Sequence, residues 1–87
     1  MEGSSKVSSI KKLEKAFIEG LGISANVEFE ALKYRGVEEW DSVGHMQLVA
    51  SLENTFDVML NSEDILAMNS FVKAKAILTN YGVEFAS

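Results

Sequence analysis

The sequence predicts an all-α domain: a small four-helix bundle with three main helices, one short helix and a long first loop. Three observations carry this expectation. Proline is absent from the 87 residues, apolar residues recur at three- and four-residue steps, and each periodic segment is bracketed by residues that cap or stop helices. The length suits a single domain, 1–87, with residues 1–7 read as a flexible N-terminus. A domain of this size buries only about 60 to 65% of the surface its unfolded chain exposes, so its core is thin.

The first helix, expected over roughly residues 8–20, is set by Ile10, Leu13, Phe17 and Leu21, with Lys11, Lys12, Lys15 and Glu19 on the other side. Gly20 and Gly22 are the candidates to close it. Residues 23–40 hold no sustained period, but Phe29, Leu32, Tyr34, Val37 and Trp40 supply enough apolar side chain to pin a long loop down. The second helix is expected from Ser42 to Phe56, with Val43, Met46, Val49, Leu52 and Phe56 as its buried stripe and Leu48 widening it. Asn61 or Ser62 caps a short third helix through Glu63 to Ala67, whose early acids suit the positive end of the helix dipole. Asn69 or Ser70 caps the fourth, which buries Phe71, Ala74, Ile77, Leu78 and Tyr81 and stops at Gly82.

Composition narrows the function. A net charge of −5 argues against a nucleic-acid partner, which wants a clustered Lys/Arg face, and favours partners with basic surfaces. Without cysteine and with one histidine there is no disulfide framework and no zinc cluster. The apolar runs are far too short to span a bilayer and MEGSSKVSS lacks a signal-peptide core, so a cytoplasmic monomer with no membrane span is expected.

The most informative stretch is EEWDSVGHMQLV, residues 38–49, where a serine stands at the start of an amphipathic helix. Ser42 or Asp41 can cap that helix by accepting from its orphan N–H groups. His45, three residues on, can face Ser42 across one turn, but no G-x-S-x-G elbow supplies the rest of a hydrolase site. Calcium is excluded: the third, fifth and twelfth positions of an EF-hand loop starting at Asp41 would be Val43, His45 and Leu52. No metal site is expected.

The run DSVGHMQLVASLENTFDVML resembles the Asp-Ser-Leu segment of acyl and peptidyl carrier proteins, in register and without a gap. The likeness continues through Leu48, Val49, Leu52, Glu53 and Phe56, the acidic SEDI and the closing FVKAKAILTNY, and so covers nearly the whole chain. The resemblance implies that a phosphopantetheinyl transferase attaches 4′-phosphopantetheine from coenzyme A to Ser42. The imported thiol then carries acyl groups as thioesters to partner enzymes, and the carrier itself catalyses nothing. Physically, the start of a helix is where backbone donors and the dipole favour a phosphate.

By the same resemblance, Asp41 is both a helix-start acid and a recognition element for the transferase, and Val43, replacing the commoner leucine, is an apolar contact beside the arm. Its other reading is the first residue of the buried stripe. Met46, Glu53, Glu63 and Asp64 complete the expected partner-binding set. Trp40 is expected to anchor the long loop, and His45 to be a solvated helix position or a partner contact. Gly44 leaves room for the arm or a close-docking partner, or is a tolerated gap on a solvated face. Ala50 and Ser51 either leave space between helices or let them pack closer. The middle of the second helix carries Gly44, Gln47, Asn54 and Thr55 where fatty-acid carriers are rich in carboxylates, while Glu38, Glu39, Asp41, Glu63 and Asp64 surround the site. That shift of charge points to a specialised discrete carrier of a type II polyketide or modified fatty-acid pathway, whose acyl-loading and acyl-processing enzymes dock through basic patches. A peptidyl or aminoacyl carrier and an unmodified helical interaction module remain the alternatives.

Overall fold

Four α-helices form close to where the apolar spacing predicts them, α1 (Ser9–Leu21), α2 (Ser42–Phe56), α3 (Ser62–Ala67) and α4 (Phe71–Thr79), although α4 ends at Thr79 rather than reaching Gly82 and leaves Tyr81 half-buried beyond it. The structure, a computed structural model, describes residues 9–85, and the N-terminus expected to be flexible at 1–7 lies outside them. Among the described residues no strand forms and no helix is long and apolar enough to cross a membrane. The long first loop contains one turn of 3-10 helix, Phe29–Ala31.

Where two residues compete for a cap, the backbone chooses one. Asp41, not Ser42, caps α2, its Oδ1 accepting from the Gly44 N–H at 2.8 Å. Asn61 caps α3 and Ser70 caps α4, accepting from the N–H groups of Asp64 (2.8 Å) and Lys73 (3.0 Å). Each satisfies one of the donors that a helix start leaves unpaired. Gly22, at φ 73°, turns the chain out of α1, while Asp57 does the same after α2 at φ 54°.

Gly20 does not close α1. It lies inside the helix at the crossing with α2, where a Cβ would stand 2.7 Å from the Leu48 Cα. Ser51 is the matching small residue, its hydroxyl donating to the Ala16 carbonyl at 3.1 Å. Small residues therefore draw α1 and α2 together here, and Ala50 faces solvent. The core that results joins Leu13 and Phe17 of α1, Leu48 and Leu52 of α2, Met68, and Phe71, Ala74 and Leu78 of α4.

The expected stripe on α2 needs correcting. Val43 and Met46 are 64% and 57% exposed, and the buried side of the helix is Gly44, Leu48, Val49 and Leu52. At about 100° per residue, three successive steps of three turn the helix through about 180°, so Val43 and Leu52 point in opposite directions. Steps of four from Gly44 keep to one side. Phe56 is only half-buried, edge-on to Phe85 at 6.0 Å. Leu52→Ala should thus cost about 2 to 5 kcal/mol. Phe56→Ala should cost clearly less, because only part of its ring leaves water on folding. Denaturant melts giving equal losses for the two would contradict this assignment of faces.

The loop is pinned as expected. Leu32 and Trp40 are buried, with Phe29, Tyr34 and Val37 packed against the core. Backbone bonds stitch it to the start of α4: Tyr34 N–H donates to the Asn69 carbonyl (2.9 Å) and Phe71 N–H to the Leu32 carbonyl (3.1 Å), an isolated bridge between Lys33 and Ser70. This pairing brings the loop over α3 and α4 and so places Tyr34 beside the start of α2.

Candidate functional site

Ser42 is the first residue of α2 and is exposed. Because Asp41 performs the capping, no hydrogen bond to another described residue engages the Ser42 hydroxyl. The N–H of His45 is already bonded to the Asp41 carbonyl at 2.8 Å and that of Gly44 to the Asp41 side chain. Those of Ser42 and Val43 take no acceptor among the described residues, leaving two donors and the positive end of a fifteen-residue helix beside the hydroxyl.

His45 does not act on Ser42, and it is not a solvated helix position. Trp40 Nε1–H donates to its Nδ1 at 2.9 Å, and its Nε2 lies 2.8 Å from the Ile65 carbonyl. An indole nitrogen only donates, so Nδ1 accepts and Nε2 carries the proton that goes to Ile65. With both ring nitrogens committed, the histidine ties the loop, α2 and α3 together and is not poised as a base. Trp40 is fully buried, edge-on to Phe17 (5.4 Å) and nearly coplanar with the His45 ring to which it is bonded (6.1 Å between centroids, 18° between planes). The expected anchor of the loop is thus in place.

Gly44 is buried, and both expectations for it give way to a third. A Cβ at this position would sit 2.1 Å from the Glu39 carbonyl oxygen, so the loop backbone just before Trp40 packs directly on the helix. The missing side chain makes room for the protein's own chain.

The acids assigned to partner binding separate into two kinds. Glu63 is exposed, as are Glu38, Glu39 and Asp41, the last also holding the Gly44 N–H as the α2 cap. Glu53 and Asp64 hold internal bonds: Glu53 Oε2 accepts from the Leu60 N–H at 3.0 Å, and Asp64 Oδ2 from the Tyr81 hydroxyl at 2.6 Å. The Tyr81 oxygen in turn accepts from the Asn61 N–H at 3.1 Å, tying the start of α3 to the chain after α4. Residue type and helical period gave no sign of this tie, whose partners are 17 apart in sequence.

The bond to Asp64 is the main reason that the Tyr81 phenol is held above its ordinary pKa of 10.0, the Asn61 bond opposing it. A raised folded-state value means that the contribution to stability is complete below pH 10 and lost as pH rises through the folded value. Melts of Tyr81→Phe should therefore lack the part of the alkaline destabilisation that the native chain shows. Identical alkaline slopes for the two chains would show that this bond is not formed in solution.

An apolar cleft of about 320 Å³ opens between the loop, α2 and α3, with Ser42 among its walls and Tyr34, His45, Met46, Ile65, Leu66 and Met68 making up most of the rest. Met46 and Leu66, the latter 82% exposed, give it an apolar mouth, and Val43 adds a third exposed apolar side chain next to Ser42. The site thus joins a free hydroxyl, helix-start donors and an apolar cleft, with Asp41 at the helix start. No group of three or more His, Asp or Glu side chains among the described residues has the arrangement of a metal site.

Compared with protein-family models, with curated proteins and with solved structures, the chain matches none.

Proposed function

We propose that this chain is an acyl carrier that presents Ser42 for attachment of 4′-phosphopantetheine. The observation that carries the proposal is the division of labour at the start of α2. Asp41 caps the helix, so Ser42 is left exposed and unbonded beside two unused N–H donors and an apolar cleft. These residues fit the group: the donors and the helix dipole suit a phosphodiester, and Val43 and Met46 offer apolar contact to the pantetheine chain beyond it. The arm would supply the terminal thiol on which acyl groups travel as thioesters. With the nearby imidazole committed to Trp40 and Ile65, the base that takes the Ser42 proton would come from the transferase. The chain then acts as a cosubstrate, not as an enzyme.

Coexpression with a broad-specificity phosphopantetheinyl transferase, followed by intact-mass measurement, tests the proposal directly. A gain of one arm is expected. No gain with any transferase would leave the same acidic face to an unmodified interaction module.

Docking of the transferase and of the acyl-handling enzymes should divide between charge and apolar contact. Complementary charge sets encounter rate and apolar burial sets residence. Glu63→Lys, at an acid with no internal bond, should slow association several-fold at low salt and flatten its salt dependence. Val43→Asp should act on the off-rate instead. Asp64 is unsuited to this test, since reversing its charge also breaks the Tyr81 tie. Stopped-flow binding over a range of salt separates the two effects, and an association rate indifferent to salt and to Glu63→Lys would remove electrostatics from the docking model.

A further inference from the structure

The cleft beside Ser42 meets His45, and behind His45 stands the buried Trp40 ring. The histidine bridges the loop and α3 from α2 with both nitrogens, one on the indole N–H of the loop and one on the Ile65 carbonyl of α3, beside the buried Met68 at the cleft wall. We propose that His45 is a gate: it ends the cleft at the surface, so that an apolar chain tethered at Ser42 lies in the cleft and does not enter the helical core.

Displacing the ring would break two hydrogen bonds and leave a buried indole N–H unpaired, while the Ile65 carbonyl would keep only the 3.4 Å bond from the Met68 N–H. An unpaired buried donor costs more than the first methylenes of an entering chain regain by leaving water. The ring also lies nearly coplanar with the Trp40 indole and meets Tyr34 edge-on at 5.6 Å, so its departure would remove contacts with two aromatic neighbours. At about 320 Å³ the cleft is at the small end of ligand sites. As a statement about cargo this rests on the carrier function proposed above, and it names the class: short or polar acyl groups held at the surface, in preference to long saturated chains enclosed by the bundle.

The absence of cysteine allows a test that needs no transferase. In the full chain, Ser42→Cys creates a single thiol, which methyl, hexyl and dodecyl methanethiosulfonates convert to mixed disulfides as the thiolate displaces a sulfinate. The single tryptophan provides one indole N–H resonance, which reports its bond to His45. Its shift and its hydrogen-exchange rate should be the same for all three adducts, and a thiol reductant should release all three chains equally fast. With His45→Ala added, the dodecyl adduct alone should move the indole resonance and resist the reductant. His45→Asn, whose amide oxygen can still accept from Trp40 while the Ile65 carbonyl is released, serves if the alanine variant does not fold, and should show the same dependence on length. A dodecyl adduct of the His45 protein that shifts the resonance, speeds indole exchange by about the tenfold that losing a hydrogen bond brings, or resists reduction would overturn the gate. So would length-independence in the His45 variants. Failure of every transferase to modify native Ser42 is a separate result, which removes the carrier function and leaves the gate standing.

Discussion

Gly44→Ala should destabilise the protein by about 3 kcal/mol, the upper part of the range for overpacking a filled site. Two effects oppose each other. Alanine gains up to about 1 kcal/mol over glycine from helix propensity, less in a first turn. Against this stands a Cβ placed 2.1 Å from the Glu39 carbonyl oxygen and 3.2 Å from its carbon, and a backbone carbonyl cannot swing aside as the tip of a long side chain does. The loop has to lift, and Trp40, the next residue, moves with it. Its indole then loses His45 and the edge of Phe17. For a chain of 87 residues, total stability is on the order of 4 to 13 kcal/mol, so a loss of this size removes about a quarter or more of it. Denaturant melts followed by tryptophan emission measure both parts, with a red shift of the native-state emission marking the lifted loop. Wild-type stability and emission in Gly44→Ala would mean that the loop does not rest on α2.

Ser42→Ala should abolish arm attachment while changing stability by less than about 0.5 kcal/mol, the usual range for a surface substitution away from any special feature. The cap belongs to Asp41, and the serine hydroxyl makes no bond to another described residue. The slightly better helix propensity of alanine even works in the variant's favour. Asp41→Ala is the contrasting case, because it removes the bond to the Gly44 N–H and should cost about 1 kcal/mol. Intact mass after coexpression reads the first effect and melts read the second. A Ser42→Ala chain that still gains an arm would move the attachment site elsewhere, and one that loses its fold would make Ser42 a structural residue.

Much of the fold was legible because helices are local. The starts of α2, α3 and α4 were legible to within a residue, because a cap and the donor it satisfies are three residues apart, while the choice of Asp41, Asn61 and Ser70 over the neighbouring candidates came with the folded backbone. At the candidate site, the exposed serine and its neighbouring acid were readable for the same reason, and Trp40 was legible as an anchor only as a large apolar side chain in a loop that needs pinning. The buried side of α2 was not. Val43 and Met46 have the residue types and the steps of a core stripe, and they point outward because the surface that covers the helix is supplied by α1 and the loop, meeting it at Gly44, Leu48 and Leu52.

By itself, then, the sequence determined roughly where the helices run and that a serine opens the second one, all properties of residues within one or two turns of each other. Tertiary structure alone decided what His45, Gly44, Gly20 and Asp64 do. The Ile65 carbonyl is 20 residues from His45, the Tyr81 hydroxyl 17 from Asp64, and the chain that crowds Gly20 belongs to another helix. Hydrogen bonds and close contacts of that kind depend on the path of the connecting loop, which no periodicity encodes, because each partner is brought up only when the core of Trp40, Phe17 and Phe71 closes.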